Sequence, residues 1–221
     1  MQLPVGDRAG SPDPLAGRVL YLCTPDRPDL GPFLRACLRG GVDVVQLRDK
    51  RLPARSLVTR AILARQICDN YRVPFVLNDR PDLALECGAA GVHVGQDDVL
   101  ADTARRILGE RAIVGLSTHA SDQLDAAGDE PVNYISAGPV NPTPTKPGRP
   151  GTGLGYLRYA AANAKVPWFV TGGVTPDTIP EMAAAGAKRF VVVRYLTESP
   201  DPLSAARRLK ESILAATDAR L

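Results

Sequence analysis

The segment Gln46-Leu47-Arg48-Asp49-Lys50 places an amide, a guanidinium, a carboxylate and an ammonium within five residues. Side chains along a strand alternate between faces, so Gln46, Arg48 and Lys50 share one face and Leu47 takes the other. Two cations converging on one face need an anion. A phosphate or diphosphate suits them, because a guanidinium binds it through paired hydrogen bonds and an ammonium binds it as a point charge. A charged loop edge is the plainer reading of the same residues.

Two acidic groups follow later apolar runs, Asn78-Asp79-Arg80-Pro81 and Gly95-Gln96-Asp97-Asp98. Each also reads as the acidic start of a helix, and Pro81 suits a first helical turn. If the two runs are neighbouring strands, Asp79 and one of Asp97 and Asp98 face the same mouth. Two carboxylates ~4 Å apart at an effective dielectric of ~20 repel by about 4 kcal/mol. A hard divalent cation removes that cost, and a site with few carboxylates, completed by phosphate oxygens, suits Mg²⁺.

Ser117-Thr118-His119 closes a further apolar run, but no G-x-S-x-G surrounds Ser117, which argues against a nucleophilic serine. Ser117 is expected to bind by hydrogen bonding. His119 reads as a rim residue or a locally bonded helix start, and His93, inside an apolar run, reads as structural. The proline-rich stretch 138–151 is long enough to be a lid or binding loop, with Thr143, Pro144, Thr145 and Lys146 suited to phosphate, or else a plain linker. Thr171-Gly172-Gly173-Val174 and Val193-Arg194 offer a second anion site, built from Gly173 and the amides around 193–194. Glycine-dependent turning is the alternative there.

These groups need a frame that brings strand ends together. Short β-branched runs at 19–23, 43–47, 74–78, 91–95, 112–117, 133–137, 168–172 and 190–193 alternate with helix-like segments at 32–40, 54–71, 81–89, 100–109, 121–128, 154–164, 178–187 and 202–216. In 54–71, Leu57, Val58, Ala61, Ile62, Ala64 and Ile67 recur with a period near 3.6. Alternating strands and helices predict a parallel sheet, and eight of each favour a closed (β/α)8 TIM barrel. Neither G-x-G-x-x-G after the first strand nor G-x-x-x-x-G-K-[ST] is present, which disfavours a nucleotide-binding open sheet. Gly40-Gly41, Gly88 and Gly186 each stand where a helix should end in a left-handed residue before a strand. Residues 1–17, rich in Gly, Pro, Ser and Asp, read as a flexible leader, and 18–221 as one barrel domain.

Composition removes several classes of partner. The chain has 221 residues, 44% apolar and 23% charged, with a formal net charge of +3. So small and dispersed an excess argues against nucleic acid and against a membrane surface. No apolar run approaches the ~20 residues of a membrane helix. The first residues lack the apolar core of a signal peptide. Four cysteines without a CxxC pair, and only two histidines, fit thiols in a reducing cytoplasm better than a zinc site or a disulfide scaffold. Small molecules are the expected partners, and no residue pattern specifies an oligomer.

QLRDK (46–50), LNDRPDLA (77–84), GVHVGQDD (91–98), GLSTH (115–119), GPVNPTPTK (138–146) and TGGV (171–174) occur in this order over roughly residues 19–196. In this the chain resembles the thiamine-phosphate synthases. The resemblance implies a (β/α)8 barrel. It also implies a Mg²⁺-dependent transferase that joins 4-amino-2-methyl-5-hydroxymethylpyrimidine diphosphate to 4-methyl-5-(2-hydroxyethyl)thiazole phosphate. Gln46, Arg48, Lys50 and Asn78, with Leu47 and Asp49 in the same segment, would hold the pyrimidine diphosphate. Asp79 and Asp98 would bind Mg²⁺. Ser117 and Lys146 would contact the pyrimidine and its diphosphate and, with Arg48 and Lys50, form the catalytic set. Thr143, Pro144, Thr145, Gly173, Val193 and Arg194 would hold the thiazole phosphate. Charges in such a pocket come close to balance, as a partly dry site requires. Two positions depart from the common pattern: many relatives carry an aromatic where Asn141 stands and a small hydroxyl residue where Arg194 stands. Two other readings stay open. One is a related thiazole tautomerase with His119 as acid and base, and the other a non-catalytic sensor of phosphate ligands.

Overall fold

The computed structural model describes residues 13–142 and 150–218. Eight strands, β1 (Leu20–Thr24), β2 (Val44–Leu47), β3 (Phe75–Asn78), β4 (Gly91–Val94), β5 (Ile113–Thr118), β6 (Tyr134–Ala137), β7 (Trp168–Val170) and β8 (Phe190–Val192), pair in parallel in chain order. The register Leu20↔Phe190, Tyr21↔Val191 and Leu22↔Val192 joins β1 to β8 and closes the barrel. Around it lie α1 (Leu30–Arg39), α2 (Ala54–Asn70), α3 (Pro81–Cys87), α4 (Ala101–Leu108), α5 (Ser121–Ala127), α6 (Gly153–Asn163), α7 (Ile179–Ala184), α8 (Arg194–Thr197) and α9 (Pro202–Asp218). The expected (β/α)8 architecture is the one observed. The single turn α8 is an addition, since Val193-Arg194 reads in the sequence as the start of a loop.

Period-two alternation divides each strand between two cores. Leu20, Leu22, Val45, Leu47, Phe75, Leu77, Val92, Val94, Val114, Ile135, Val170, Phe190 and Val192 face outward into the layer shared with the helices. Tyr21, Val44, Val76, Ile113, Tyr134 and Phe169 fill the lower barrel, with Val191 packed against them. Leu15 seals this inner core from below and is fully buried. Its backbone N–H is held by Asp13 Oδ1 at 2.9 Å. Leu15 lies in the stretch read as leader, so part of that stretch belongs to the packed core.

Glycine roles divide as well. Gly88 ends α3 with φ +66°, and Gly41 and Gly186 both have φ +103°, as helix-ending glycines should. Gly40 does not: its φ is −81°. The constraint there is packing, because a Cβ on Gly40 would stand 2.5 Å from Ala206 Cβ and 2.7 Å from Leu203 O of α9. All four cysteines are buried free thiols. Burial pushes Cys37 and Cys68 up to about 12, which leaves them unreactive.

Candidate active site

A cavity of about 310 Å³ opens at the C-terminal ends of the strands. Tyr21 and Tyr134 form part of its floor, and Gln46, Arg48, Asn78, Ser117, Gly173, Val193 and Arg194 are in its wall. These seven residues come from five different strands or strand ends, and only ring closure puts them around one space. Val44 and Gln46 of β2 point inward while Val45 and Leu47 point outward, which is the alternation expected for this segment. Leu47 is therefore part of the helix-facing core, 1% exposed, and its side chain does not reach the cavity. Asp49 also lies apart. Its Oδ1 accepts from the backbone N–H groups of Arg51 and Leu52 and shapes the β2–α2 loop. Thr143, Pro144, Thr145 and Lys146 lie outside the described residues.

Lys50, Asp79 and Asp98 meet at the rim. Lys50 Nζ stands 2.8 Å from Asp79 Oδ2. The backbone explains the aim of Asp79. Its N–H donates to His93 O at 2.8 Å, extending the β3–β4 ladder by one step, and Arg80 N–H then donates back to Asn78 O at 2.8 Å. That γ-turn holds Asp79 at φ +62°, a strained value for a residue with a side chain. Asp79 is thus no helix cap: α3 starts after Arg80 without a side-chain cap bond. Asp98 Oδ2 accepts from Gly95 N–H at 2.9 Å, which curls the β4–α4 loop toward Asp79.

The two carboxyls perturb one another. Burial, aided by the facing Asp98, holds Asp79 above the ordinary carboxylate range despite Lys50. Burial acts on Asp98 in the same sense. It is outweighed by the bond from Asp79, the Gly95 amide and the nearby Lys50 and Arg48, so Asp98 sits below that range. Of the two, Asp79 is therefore the one that takes up a proton more readily. Two carboxyls crowded side by side form an oxygen-only donor set of the kind a hard dication takes, so these residues fit Mg²⁺. Among the described residues no cluster of three or more acidic, His or Cys side chains adds further ligands.

Below the rim the cavity wall is a connected polar network. Gln46 Nε2 donates to Tyr21 Oη at 2.9 Å, Tyr21 Oη and Tyr134 Oη are 2.8 Å apart, and Tyr134 Oη lies 2.9 Å from His93 Nδ1. His93 Nε2 lies 2.9 Å from Ser117 Oγ. Burial lifts both tyrosine hydroxyls above their ordinary value, so they stay protonated. His93, expected to be structural, is a cavity residue, and Tyr21, Tyr134, Ser136 and Cys23 join it there. The period-two pattern of β1 and β6 would have found them, since Tyr21 with Cys23 and Tyr134 with Ser136 occupy alternate positions. His119 is turned elsewhere: its Nδ1 pairs with Gly138 O and its backbone N–H donates to Gln123 Oε1 at 2.8 Å.

A sequence profile of the family described as thiamine monophosphate synthase matches residues 20–196, most of this barrel. The chain belongs to that family. A thiamine-phosphate synthase of Thermobifida fusca is 48% identical over 206 residues, covering 90% of this chain and 94% of the relative. One from Thermus thermophilus is 46% identical over 202 residues, covering 88% and 96%. Among solved structures, a thiamine phosphate pyrophosphorylase from Pyrococcus furiosus superposes with a TM-score of 0.82 at 27% identity, covering 92% of this chain and 98% of that one.

The two departures from the common pattern of thiamine-phosphate synthases take defined places. Asn141 packs on Gly173, where an added Cβ would stand 2.8 Å from Asn141 Nδ2. Gly172 and Gly173 have φ +98° and +79°, conformations that expose their backbone to the cavity. Arg194, the first residue of α8, lines the same side of the cavity together with Tyr195 and Glu198.

Proposed function

We propose that this thiamine-phosphate synthase family member joins the pyrimidine diphosphate to the thiazole phosphate by a dissociative displacement, with the diphosphate held at the rim and the pyrimidine in the cavity below. The observation that carries this reading is the convergence of Arg48, Lys50, Asp79 and Asp98 over a cavity walled by Gln46, Asn78 and Ser117.

Arg48 and Lys50 stabilise charge that grows on the departing diphosphate. The bond between the exocyclic methylene carbon and the diphosphate oxygen breaks, and its electron pair leaves with the oxygen. The pyrimidine amino group donates electron density into the methylene cation. The thiazole nitrogen then uses its lone pair to form the new carbon–nitrogen bond. No proton has to be removed from either ring, in keeping with a cavity whose histidine is engaged by Tyr134 and Ser117. Mg²⁺, held by Asp79 and Asp98, would neutralise diphosphate oxygens. Gln46, Asn78 and Ser117 orient the pyrimidine, and Gly173, Val193 and Arg194 hold the thiazole phosphate within reach. Lys146 and 143–145 complete the set by family resemblance. A reducing cytoplasm is the proposed setting, consistent with four free thiols and with the absence, among the described residues, of a helix long and apolar enough to cross a membrane.

The test is direct. The purified protein is mixed with both substrates, with Mg²⁺ or with a chelator, and the products are resolved by mass. Thiamine phosphate and diphosphate are expected in equal amounts with Mg²⁺ only. No product under either condition overturns the reaction, and equal rates in both overturn the metal site.

A further inference from the structure

We propose that the hydrogen-bond chain across the barrel floor runs one way, from Gln46 through Tyr21, Tyr134 and His93 to Ser117, and turns the Ser117 hydroxyl hydrogen toward the cavity. Tyr134 and His93 are then positioning residues for Ser117. The proposal rests on the reading above only in taking Ser117 to meet the substrate.

The direction follows from counting hydrogens along the chain. Cys23 Sγ donates to Gln46 Oε1 at 3.1 Å, which leaves the Gln46 amide N–H for Tyr21 Oη at 2.9 Å. Tyr21 accepts there, and Tyr134 Oη, 2.8 Å away, is the acceptor within reach of its single hydrogen. Tyr134 spends its own hydrogen on His93 Nδ1 at 2.9 Å. A neutral imidazole that accepts at Nδ1 carries its proton on Nε2, and Nε2 is 2.9 Å from Ser117 Oγ. Ser136 Oγ donates to the same oxygen at 3.4 Å. With donors on both sides, the Ser117 oxygen is an acceptor within the wall, and its hydrogen is the one presented outward. The reverse direction would make His93 Nε2 a base for Ser117, and it would turn the Gln46 amide N–H groups toward the Cys23 hydrogen, donor against donor.

Packing holds the chain in register. Gly115 leaves room for the Tyr134 ring, since a Cβ there would stand 2.2 Å from Tyr134 Cζ. The Tyr134 ring stacks on His93 with centroids 5.4 Å apart and meets Phe169 edge-on at 5.5 Å. The consequence is chemical: Ser117 offers a hydrogen-bond donor to an acceptor atom of the pyrimidine diphosphate and does not act as a nucleophile.

The chain contains only two histidines, so long-range ¹⁵N–¹H spectra of the labelled whole protein resolve both. His93 is expected as the Nε2–H tautomer, and the Nδ1–H tautomer overturns the proposal. Tyr134→Phe keeps the ring and removes the link. It should mix the two His93 tautomers and slow the single-turnover chemical step roughly tenfold, the worth of about one buried hydrogen bond, while the KM for thiazole phosphate stays put. In a Ser117→Ala background the same change should cost nothing further. An equal cost in both backgrounds, or an unmoved His93 signal, reduces Tyr134 to packing and also overturns it. If Tyr134→Phe does not fold, the wild-type tautomer decides. A wild-type protein with the expected tautomer that makes no thiamine phosphate counts against the functional reading and leaves the chain's direction standing.

Discussion

At Asp79 a strained backbone, a neighbouring carboxyl and a proposed metal site coincide. Its φ of +62° favours Asn over Ala as a probe, because Asn tolerates the left-handed region and removes only the charge. Asp79→Asn is expected to lower turnover by roughly two orders of magnitude or more with an unchanged melting curve, measured by steady-state rates and thermal unfolding. Its closeness to Asp98 adds a pH dependence. Since burial raises Asp79, a bound metal competes there with a proton. Mg²⁺ affinity, followed by calorimetry in buffers of different ionisation heat, should therefore weaken as pH falls, starting above the usual carboxylate range, with proton release on binding. Asp79→Asn should abolish that release. Of these features, the residue types at 46–50, 79 and 98 were legible in the sequence, because charge and spacing are local. The γ-turn that aims Asp79, and the inclusion of His93 in the cavity, were not, because both depend on which strand lies beside which.

Glycines and short turns decide how the elements fit. Gly115 sits mid-strand in β5, where glycine is a poor choice on propensity alone. The Tyr134 ring explains it. Gly115→Ala is expected to destabilise the fold by about 1–3 kcal/mol as an overpacked site, read from urea unfolding, and to displace Tyr134 from His93. Helix ends such as Gly88 could be read from sequence, since a left-handed terminus is a local requirement. Gly40 invites the same reading, but its constraint comes from α9, far along the chain. The single turn α8 was missed because four residues carry no periodicity to detect.

Across the whole molecule, stability is divided between the helix-facing layer and the small inner core that Leu15 seals. Leu15→Ala should cost about 2–5 kcal/mol, as for a fully buried leucine. The control Leu100→Ala, at a side chain 72% exposed, should fall within about 0.5 kcal/mol of the parent protein. Denaturant midpoints of the two variants check this, and equal midpoints would mean that residues 13–17 only decorate the barrel.

Strand and helix alternation, the number of repeating units, their order and the residue types at each strand end were all determined by the chain's local pattern, since periodicity of two or 3.6 acts over a few neighbours. Ring closure was a tertiary decision: Tyr21 meets Tyr134 across 113 residues of chain, and Lys50 finds Asp79 and Asp98 only because three strand ends share one rim. Hydrogen-bond direction in the floor was decided there too. Direction depends on which groups stand within 3 Å or so of one another, and the barrel's curvature sets those distances while the order of residues along the chain does not.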